Sequence, residues 1–349
     1  MRARLVRPGD DAWGSTLARI PHDFYHLPAY VELCARMEAG EARALLVEER
    51  ESVLLQPLLL RPLPGDLPAT EARFDATSPY GYPGPLVAGD DDFVRRAVEA
   101  ALSHLADEGV AATFVRLHPL LNEGFESIGC LGVFESHGET VVVDLHQSAE
   151  EHWRQTRSGH RNEISKAQRS GQTARMDPAW EHGADFARIY RQTMERVGAS
   201  RYYLFDDAYF EGLRSALGPH LHLCVVQIDG AIAAGGLFTE TSGIVQYHLS
   251  GTDEQFVRAR PNKLMLHFVR EWAKQRGSRW LHLGGGVGGT EDSLFRFKSG
   301  FADGRRPFHT WRLIPRPDAY RALVTARHGE AGRLDGRGFF PDYRRPAEA

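Results

Sequence analysis

Near its C-terminus the chain reads RWLHLGGGVGGTEDSLFRFKSGF, from Arg279 to Phe301, and sets one lysine, Lys298, close behind a burst of glycines. Gly284-x-Gly286-x-x-Gly289 spells a dinucleotide fingerprint. That fold, however, needs a second strand ending in an acidic residue about twenty residues on, and here one short helix and one strand complete the domain. The glycines therefore read as a close approach of backbone to a ligand, or as a tight turn. Thr290 opens the following helix with Glu291 and Asp292 in its first turn. Leu294, Phe297 and Phe301, at i, i+3 and i+7, should line its buried face. Lys298 lies beside that face and either snorkels to solvent or offers an ammonium to an anion or oxyanion. A second concentration of chemistry is EEHWRQTRSGHRNEISKAQRSG, with Arg154, Arg157, His160, Arg161, Lys166 and Arg169. Arg154, Arg157 and Arg161 fall at helical spacing, so one face presents guanidinium forks suited to phosphate oxygens. The alternative is a solvated helix face partly neutralised by Glu151 and Glu163.

Other chemistries are set aside. There is no GxSxG nucleophile elbow, and His137-Gly-Glu139 lacks the downstream PCxxC of a deaminase zinc site. His220 and His222 alternate on one strand without a third ligand. Cys34, Cys130 and Cys224 stand alone and read as buried small hydrophobes, so neither a metal site nor a disulfide framework is expected.

These residues must be positioned by a chain of 349 residues, 42% hydrophobic and 25% charged, enough for two ordinary domains. No apolar run approaches the eighteen or so residues of a membrane span, and a cytoplasmic location is expected. A net charge of −4 argues against non-specific coating of nucleic acid. In the second half, strand-like runs at 220–229, 231–240 and 243–251 precede a helix from Pro261 to Arg276. Asp229-Gly230 gives a hairpin signal between the first two runs. A strand, a short helix and a final strand, FHTWRLI (308–314), follow. The first half repeats the order, with a helix from Asp91 and a last strand GETVVVDLH ending near His146. Helical stretches at about 148–170 and 178–197 lie between, and RPDAYRALVTARHG supplies one more helix in the tail.

Antiparallel strands, helix and parallel strand, twice over, resemble the GNAT acyltransferase fold in tandem. RNEISKAQRSG, YHLSG, RPNKLMLHFVREWAKQRG, LHLGGG and LFRFKSGF resemble, in order, the Fem family of aminoacyl-tRNA-dependent transferases. The resemblance implies an α/β fold of two GNAT-like units, each a mixed, mainly antiparallel sheet flanked by helices. The first would span 1–145, completed by the tail 316–349, and the second 146–315, with no room for the helical arm of longer members. It implies transfer of an aminoacyl group from aminoacyl-tRNA to an amine of a peptidoglycan precursor or small peptide. Aminoacyl-tRNA would be co-substrate and no further cofactor would be needed.

In that resemblance Phe297 and Lys298 match a pair near the transfer site, the lysine stabilising negative charge. Arg154, Arg157, Arg161 and Lys166, with Arg258 and Arg260, become candidates for tRNA phosphates. Arg36, Tyr80, Tyr82, Arg201 and Tyr247 become candidates around the acceptor. Asp75 and Asp144 are possible bases, although the substrate amine can lose its proton without either. The alternative is acyl-CoA-dependent N-acylation. In its disfavour, Arg258-Ala-Arg260-Pro261-Asn262 stands where a coenzyme A loop would need glycines, and Pro261 has no N–H to give. A third reading, a catalytically degenerate pair acting as a binding protein, predicts no loss of transfer on replacing Lys298.

Overall fold

The computed structural model describes residues 1–329 and 332–346. It divides into one unit of 1–137 with 307–349 and a second of 138–306. The first unit runs β1 (Arg2–Val6), α1 (Asp11–Leu17), α2 (Pro28–Met37), β2 (Glu41–Glu49), β3 (Ser52–Pro62), β4 (Phe74–Thr77), β5 (Leu86–Ala88), α3 (Asp91–Asp107) and β6 (Val110–Arg116). Its sheet order is β1-β2-β3-β4-β6, antiparallel throughout except for the parallel β4–β6 pair. The short β5 pairs antiparallel on β3. Helix α3 is capped by Asp90, whose side chain accepts from the Phe93 N–H. It buries Phe93, Val94, Ala97, Val98, Ala101 and Leu105, a helical stripe, against Leu45, Leu54, Leu58 and Leu60.

After β7 (Val133–Asp144), the second unit continues through α4 (Ala149–Gln155), α5 (Ser158–Arg169), β8 (Thr173–Met176), α6 (Gly183–Arg196), α7 (Asp207–Leu217), β9 (Leu221–Ile228), β10 (Ala231–Thr241), β11 (Ile244–Thr252), α8 (Asn262–Gln275), β12 (Trp280–Gly284) and α9 (Ser293–Lys298). The order β8-β9-β10-β11-β12 repeats the first unit strand for strand, again with one parallel pair, β11–β12. Asp229 and Gly230 both take positive φ in the β9–β10 turn, as an Asp-Gly hairpin requires. Met265, Leu266, Val269 and Ala273 of α8 pack with Val226, Ala234 and Val245 of the sheet.

The closing strands differ from the sequence expectation. β7 is the strand read as finishing the first unit, yet its Val141–Asp144 pair antiparallel with β12. β13 (Gly304–Leu313) is the strand read as finishing the second, yet its Thr310–Leu313 pair antiparallel with β6. The breaks consequently fall at 137/138 and 306/307, not after 145 and 315. The paired segments are short and mostly β-branched, aromatic or aliphatic, and nothing local in them selects a partner; pairing is decided by packing across the sheet. Helix α10 (Pro317–His328) then packs Tyr320, Leu323 and Val324 with Ala111 and Ala112 of β6. No helix among the described residues is long and apolar enough to cross a membrane.

Candidate active site

The second unit opens where its two parallel strands part. Ile244, Val245 and Gln246 pair with Trp280, Leu281 and His282, and the register ends there. At that point the His282 Nδ1 and Gln246 Oε1 lie 2.6 Å apart, both side chains buried. From Tyr247 to Thr252 the strand keeps β10 as its partner, with a bulge at His248, but has no register with β12. Tyr247 stands at the opening. Its ring stacks on Phe238 at 5.4 Å, its hydroxyl bonds the Ser250 hydroxyl, and burial pushes its pKa up to about 12, so it is a neutral phenol.

Beyond β12 the glycine turn and α9 fix Lys298. The helix is capped by Asp292, not Thr290: Asp292 Oδ1 accepts from the Phe295 N–H (2.8 Å) and Oδ2 from the Val287 N–H (3.2 Å). That one carboxylate ties the turn to the helix. A Cβ on Gly286 would stand 2.0 Å from the Thr290 carbonyl oxygen, so this glycine exists for close backbone approach. The later start rotates the buried face. Phe295 and Phe301 are buried and Phe297 partly so, while Leu294, expected inside, is exposed.

Lys298 does not snorkel. Its side chain is buried and its Nζ donates to the Gly285 carbonyl (2.7 Å), 5.9 Å from the Tyr247 ring centre. Burial lowers its pKa to about 8, opposed in part by Asp292. An ammonium has three N–H donors, so two remain beyond the one committed to Gly285.

His160, in the first turn of α5, braces the end of α9, whereas in sequence it reads only as part of a basic run. Its Nε2 lies 2.9 Å from the Phe297 carbonyl oxygen, an acceptor, so Nε2 carries the proton. Burial lowers its pKa to about 4, which keeps the ring neutral. The ring packs on Phe297 and Phe301, and a Cβ on Gly300 would stand 2.5 Å from Nε2. The Arg157 N–H donates to the Gly300 carbonyl (2.8 Å). The start of α5 thus holds the end of α9.

An open cleft of about 640 Å³ lies where these elements meet. Arg157 and His160 line it from α5, Arg260, Asn262 and Lys263 from the start of α8, and Ser293, Arg296 and Phe297 from α9; Arg196, Thr252 and Val257 complete the wall. Arg196 donates to the Thr252 carbonyl (3.2 Å). Five of the eleven lining side chains are cations, and the chemistry they suit is a phosphate ester.

Only some of the expected residues meet here. The arginine row does not form, because residues 148–170 are two helices broken at Thr156-Arg157, where both residues are extended. Arg154 pairs with Glu151 (3.0 Å), and Arg161 caps α4 by donating to the Trp153, Arg154 and Thr156 carbonyls. Arg157 and Arg260 line the cleft; Arg258 and Lys166 are exposed and do not. Arg196, Lys263 and Arg296 were missed: Arg196 stands apart from the other candidates, and Lys263 and Arg296, close to Arg260 and Lys298, read as part of amphipathic helices. Of the acceptor candidates, Tyr247 lies at the strand opening and Arg201 is exposed at the start of a 3-10 turn, Arg201–Tyr203. In the first unit Arg36 is exposed near the end of α2. There the Tyr80 carbonyl accepts from the Tyr30 hydroxyl (3.0 Å), and Tyr82 packs edge-on to Tyr25 and Phe308.

Neither carboxylate is placed as a base. Asp75 is fully buried in the first unit, held by Arg61 (2.9 Å), Arg344 and the Tyr343 hydroxyl (3.3 Å). Asp144 pairs opposite Trp280, at the far end of β12 from Gly284, roughly 13 Å away by strand rise. Cys34 and Cys224 are buried as expected, but Cys130 is half-exposed.

Comparison with known proteins bears on the fold. Residues 154–299 match the family model of the acetyltransferase (GNAT) domain. No curated protein sequence matches the chain. Among solved structures, FemX superimposes with a TM-score of 0.70 at 15% identity, over 92% of this chain and 99% of FemX. L-PGS from Bacillus licheniformis gives 0.55 at 13% identity, over 95% and 98%. The C-terminal domain of a putative lysylphosphatidylglycerol synthetase from Agrobacterium fabrum gives 0.53 at 15%, over 93% and 98%. The chain has a FemABX-like fold, with the GNAT domain in its second unit.

Proposed function

We propose that the chain is an acyltransferase that moves an aminoacyl group from the ester of an aminoacyl-tRNA to an amine, forming an amide without ATP. The acceptor class is a peptidoglycan precursor or a small peptide. The observation that carries the reading is a buried lysine with spare donors, Lys298, next in sequence to a residue lining a cleft with five cations.

The chemistry needs little more. The acceptor nitrogen attacks the ester carbonyl, a C–N bond forms, and the carbonyl oxygen becomes an oxyanion. The C–O bond to the ribose then breaks, and the ribose oxygen leaves with a proton from the former amine. A protonated Lys298 interacts more strongly with the oxyanion than with the neutral ester, the differential binding that lowers a barrier. With a pKa of about 8 it is mostly protonated near neutrality. Cleft cations hold the phosphates, and His160 holds the backbone of Phe297 and with it the lysine.

A second reading, transfer from an acyl-CoA, is favoured by the start of α8 lining the cleft. Against it, Pro261 offers no N–H and Arg260 takes φ +52°, with no glycine between Arg258 and Asn262. The deciding experiment is retention of aminoacylated tRNA by the purified protein, and transfer to an added amine, with deacylated tRNA and acetyl-CoA as competitors. Retention and transfer unaffected by acetyl-CoA support the first reading. Saturable acetyl-CoA binding with no tRNA retained replaces it with the second.

A further inference from the structure

Resting on the reading of the cleft as a donor site, we propose that Glu163 is a built-in counter-ion that weakens the cleft's grip on phosphate and so sets how readily the spent donor leaves. Glu163 lies on α5 and pairs with both Arg260 and Lys263, the latter at 3.0 Å. It does not line the cleft, but both of its partners do. Lys263 is nine-tenths buried, and an ammonium so placed needs a charge partner. While the cleft is empty Glu163 supplies it. A bound phosphate offers the same two cations a second anion, and from then on the carboxylate is a nearby like charge. Arg157, Arg196 and Arg296, the other cations of the cleft, have no carboxylate partner among the described residues, so the discount falls on Arg260 and Lys263 alone.

A weaker grip has a use. Binding that is equal for the ester and the spent donor speeds no chemical step and slows release. Glu163 therefore acts on substrate affinity through two neighbours and touches no reacting atom.

The test uses the full chain carrying Glu163→Gln, which keeps shape and removes charge, beside Glu163→Asp, which keeps charge. Fluorescence anisotropy with labelled deacylated tRNA across a salt series reads affinity, and steady-state transfer separates KM from kcat. With one carboxylate charge removed beside the phosphate, Glu163→Gln should bind about tenfold tighter, with a salt slope steeper by about one. KM should fall without a rise in kcat, and Glu163→Asp should stay within about threefold of the parent. Weaker or unchanged binding by a folded Glu163→Gln overturns the proposal and leaves the carboxylate as a brace between α5 and α8. Inorganic pyrophosphate and coenzyme A are run in parallel. Tightening toward these while tRNA never binds upholds Glu163 and discards the tRNA donor; no tightening toward any of the three discards Glu163.

Discussion

The two units share one strand order and diverge at the parallel pair. In the first, β4 and β6 pair through Thr77 and Phe114 and then stay joined. The Ser78 N–H donates to the Phe114 carbonyl (2.7 Å), and the Ser78 hydroxyl and carbonyl accept from the Arg116 N–H (3.1 Å) and guanidinium (3.0 Å). In the second, the corresponding strands part after Gln246 and His282. The helix that follows differs as well. α3 begins with Asp90, Asp91 and Asp92, a start that repels phosphate, whereas α8 begins Arg260-Pro261-Asn262-Lys263. After β6 the chain turns through a 3-10 segment, Phe125–Ile128, whose buried residue is Phe125, with no lysine or arginine from 117 to 132; after β12 the corresponding turn buries Lys298. All four lysines of the chain, among 42 basic residues, lie in the second unit. The two units keep the same hydrogen-bonded frame, and the proposed chemistry sits where one of them leaves the frame open.

The sharpest way to break this comparison is Lys298→Met. Loss of an oxyanion donor predicts a fall in kcat of about 10²–10³-fold, with tRNA affinity within about threefold, read by single-turnover transfer beside direct binding. A loss confined to binding would make Lys298 a docking residue. The same variant should be more stable. A lysine lowered from 10.5 to about 8 by burial opposes folding below pH 8 by about 3 kcal/mol. The sign follows from proton uptake: between pH 8 and 10.5 the unfolded chain holds a proton that the folded chain has lost, so parental stability rises with pH through that window. Lys298→Met should lose this rise. The alkaline limb of parental kcat should fall near pH 8, where the ammonium is lost.

How far the chain can be read without coordinates depends on whether the signal is local. The Asp229-Gly230 hairpin and the helix from Asp91 are local, and both appear where the residues put them. The exchange of β7 and β13 is not, because nothing in the short paired segments Val141–Asp144 and Thr310–Leu313 selects one sheet edge over the other. Lys298 was legible as a candidate from its neighbours, but its burial depended on Asp292 starting the helix two residues after Thr290. The arginine row failed because Thr156-Arg157-Ser158-Gly159 breaks the helix, a small polar signal outweighed by the periodicity around it. The cleft cations are separated by up to 139 residues, Arg157 to Arg296, and only the fold collects them.

Asp75 tests the first unit as structure alone. Asp75→Asn leaves Arg61 and Arg344 without their shared buried charge, and the expected loss is about 3–5 kcal/mol of stability, measured by denaturant unfolding. Turnover per folded molecule should stay within about twofold, whereas a thousandfold loss with normal folding would restore Asp75 as a base. A smaller effect is expected from the cleft. Arg157→Ala or Arg296→Ala should weaken tRNA binding about tenfold and lower the salt slope by about one each. Arg161→Ala, which removes the cap on α4, should lower the melting temperature and leave the slope alone. An equal slope change at Arg157 and Arg161 would mean that the row meets tRNA as one surface after all.

The finest test sets one glycine of each unit against the other. Gly288 (φ +62°) and Gly124 (φ +78°) both occupy the left-handed region in the turns that follow β12 and β6, and a Cβ at either would meet nothing within 4 Å. Alanine at each should therefore destabilise by the backbone term alone, about 1 kcal/mol, and thermal unfolding should find the two nearly equal. They should separate in catalysis. The turn holding Gly288 is fastened by Asp292 and carries the Gly285 carbonyl that fixes Lys298, so strain there displaces the lysine's anchor. The turn holding Gly124 leads only to the buried Phe125. Gly288→Ala should lower kcat about threefold and Gly124→Ala should not, at matched stability. Equal kcat in both would show that Lys298 is held by its burial and needs no help from the glycine turn.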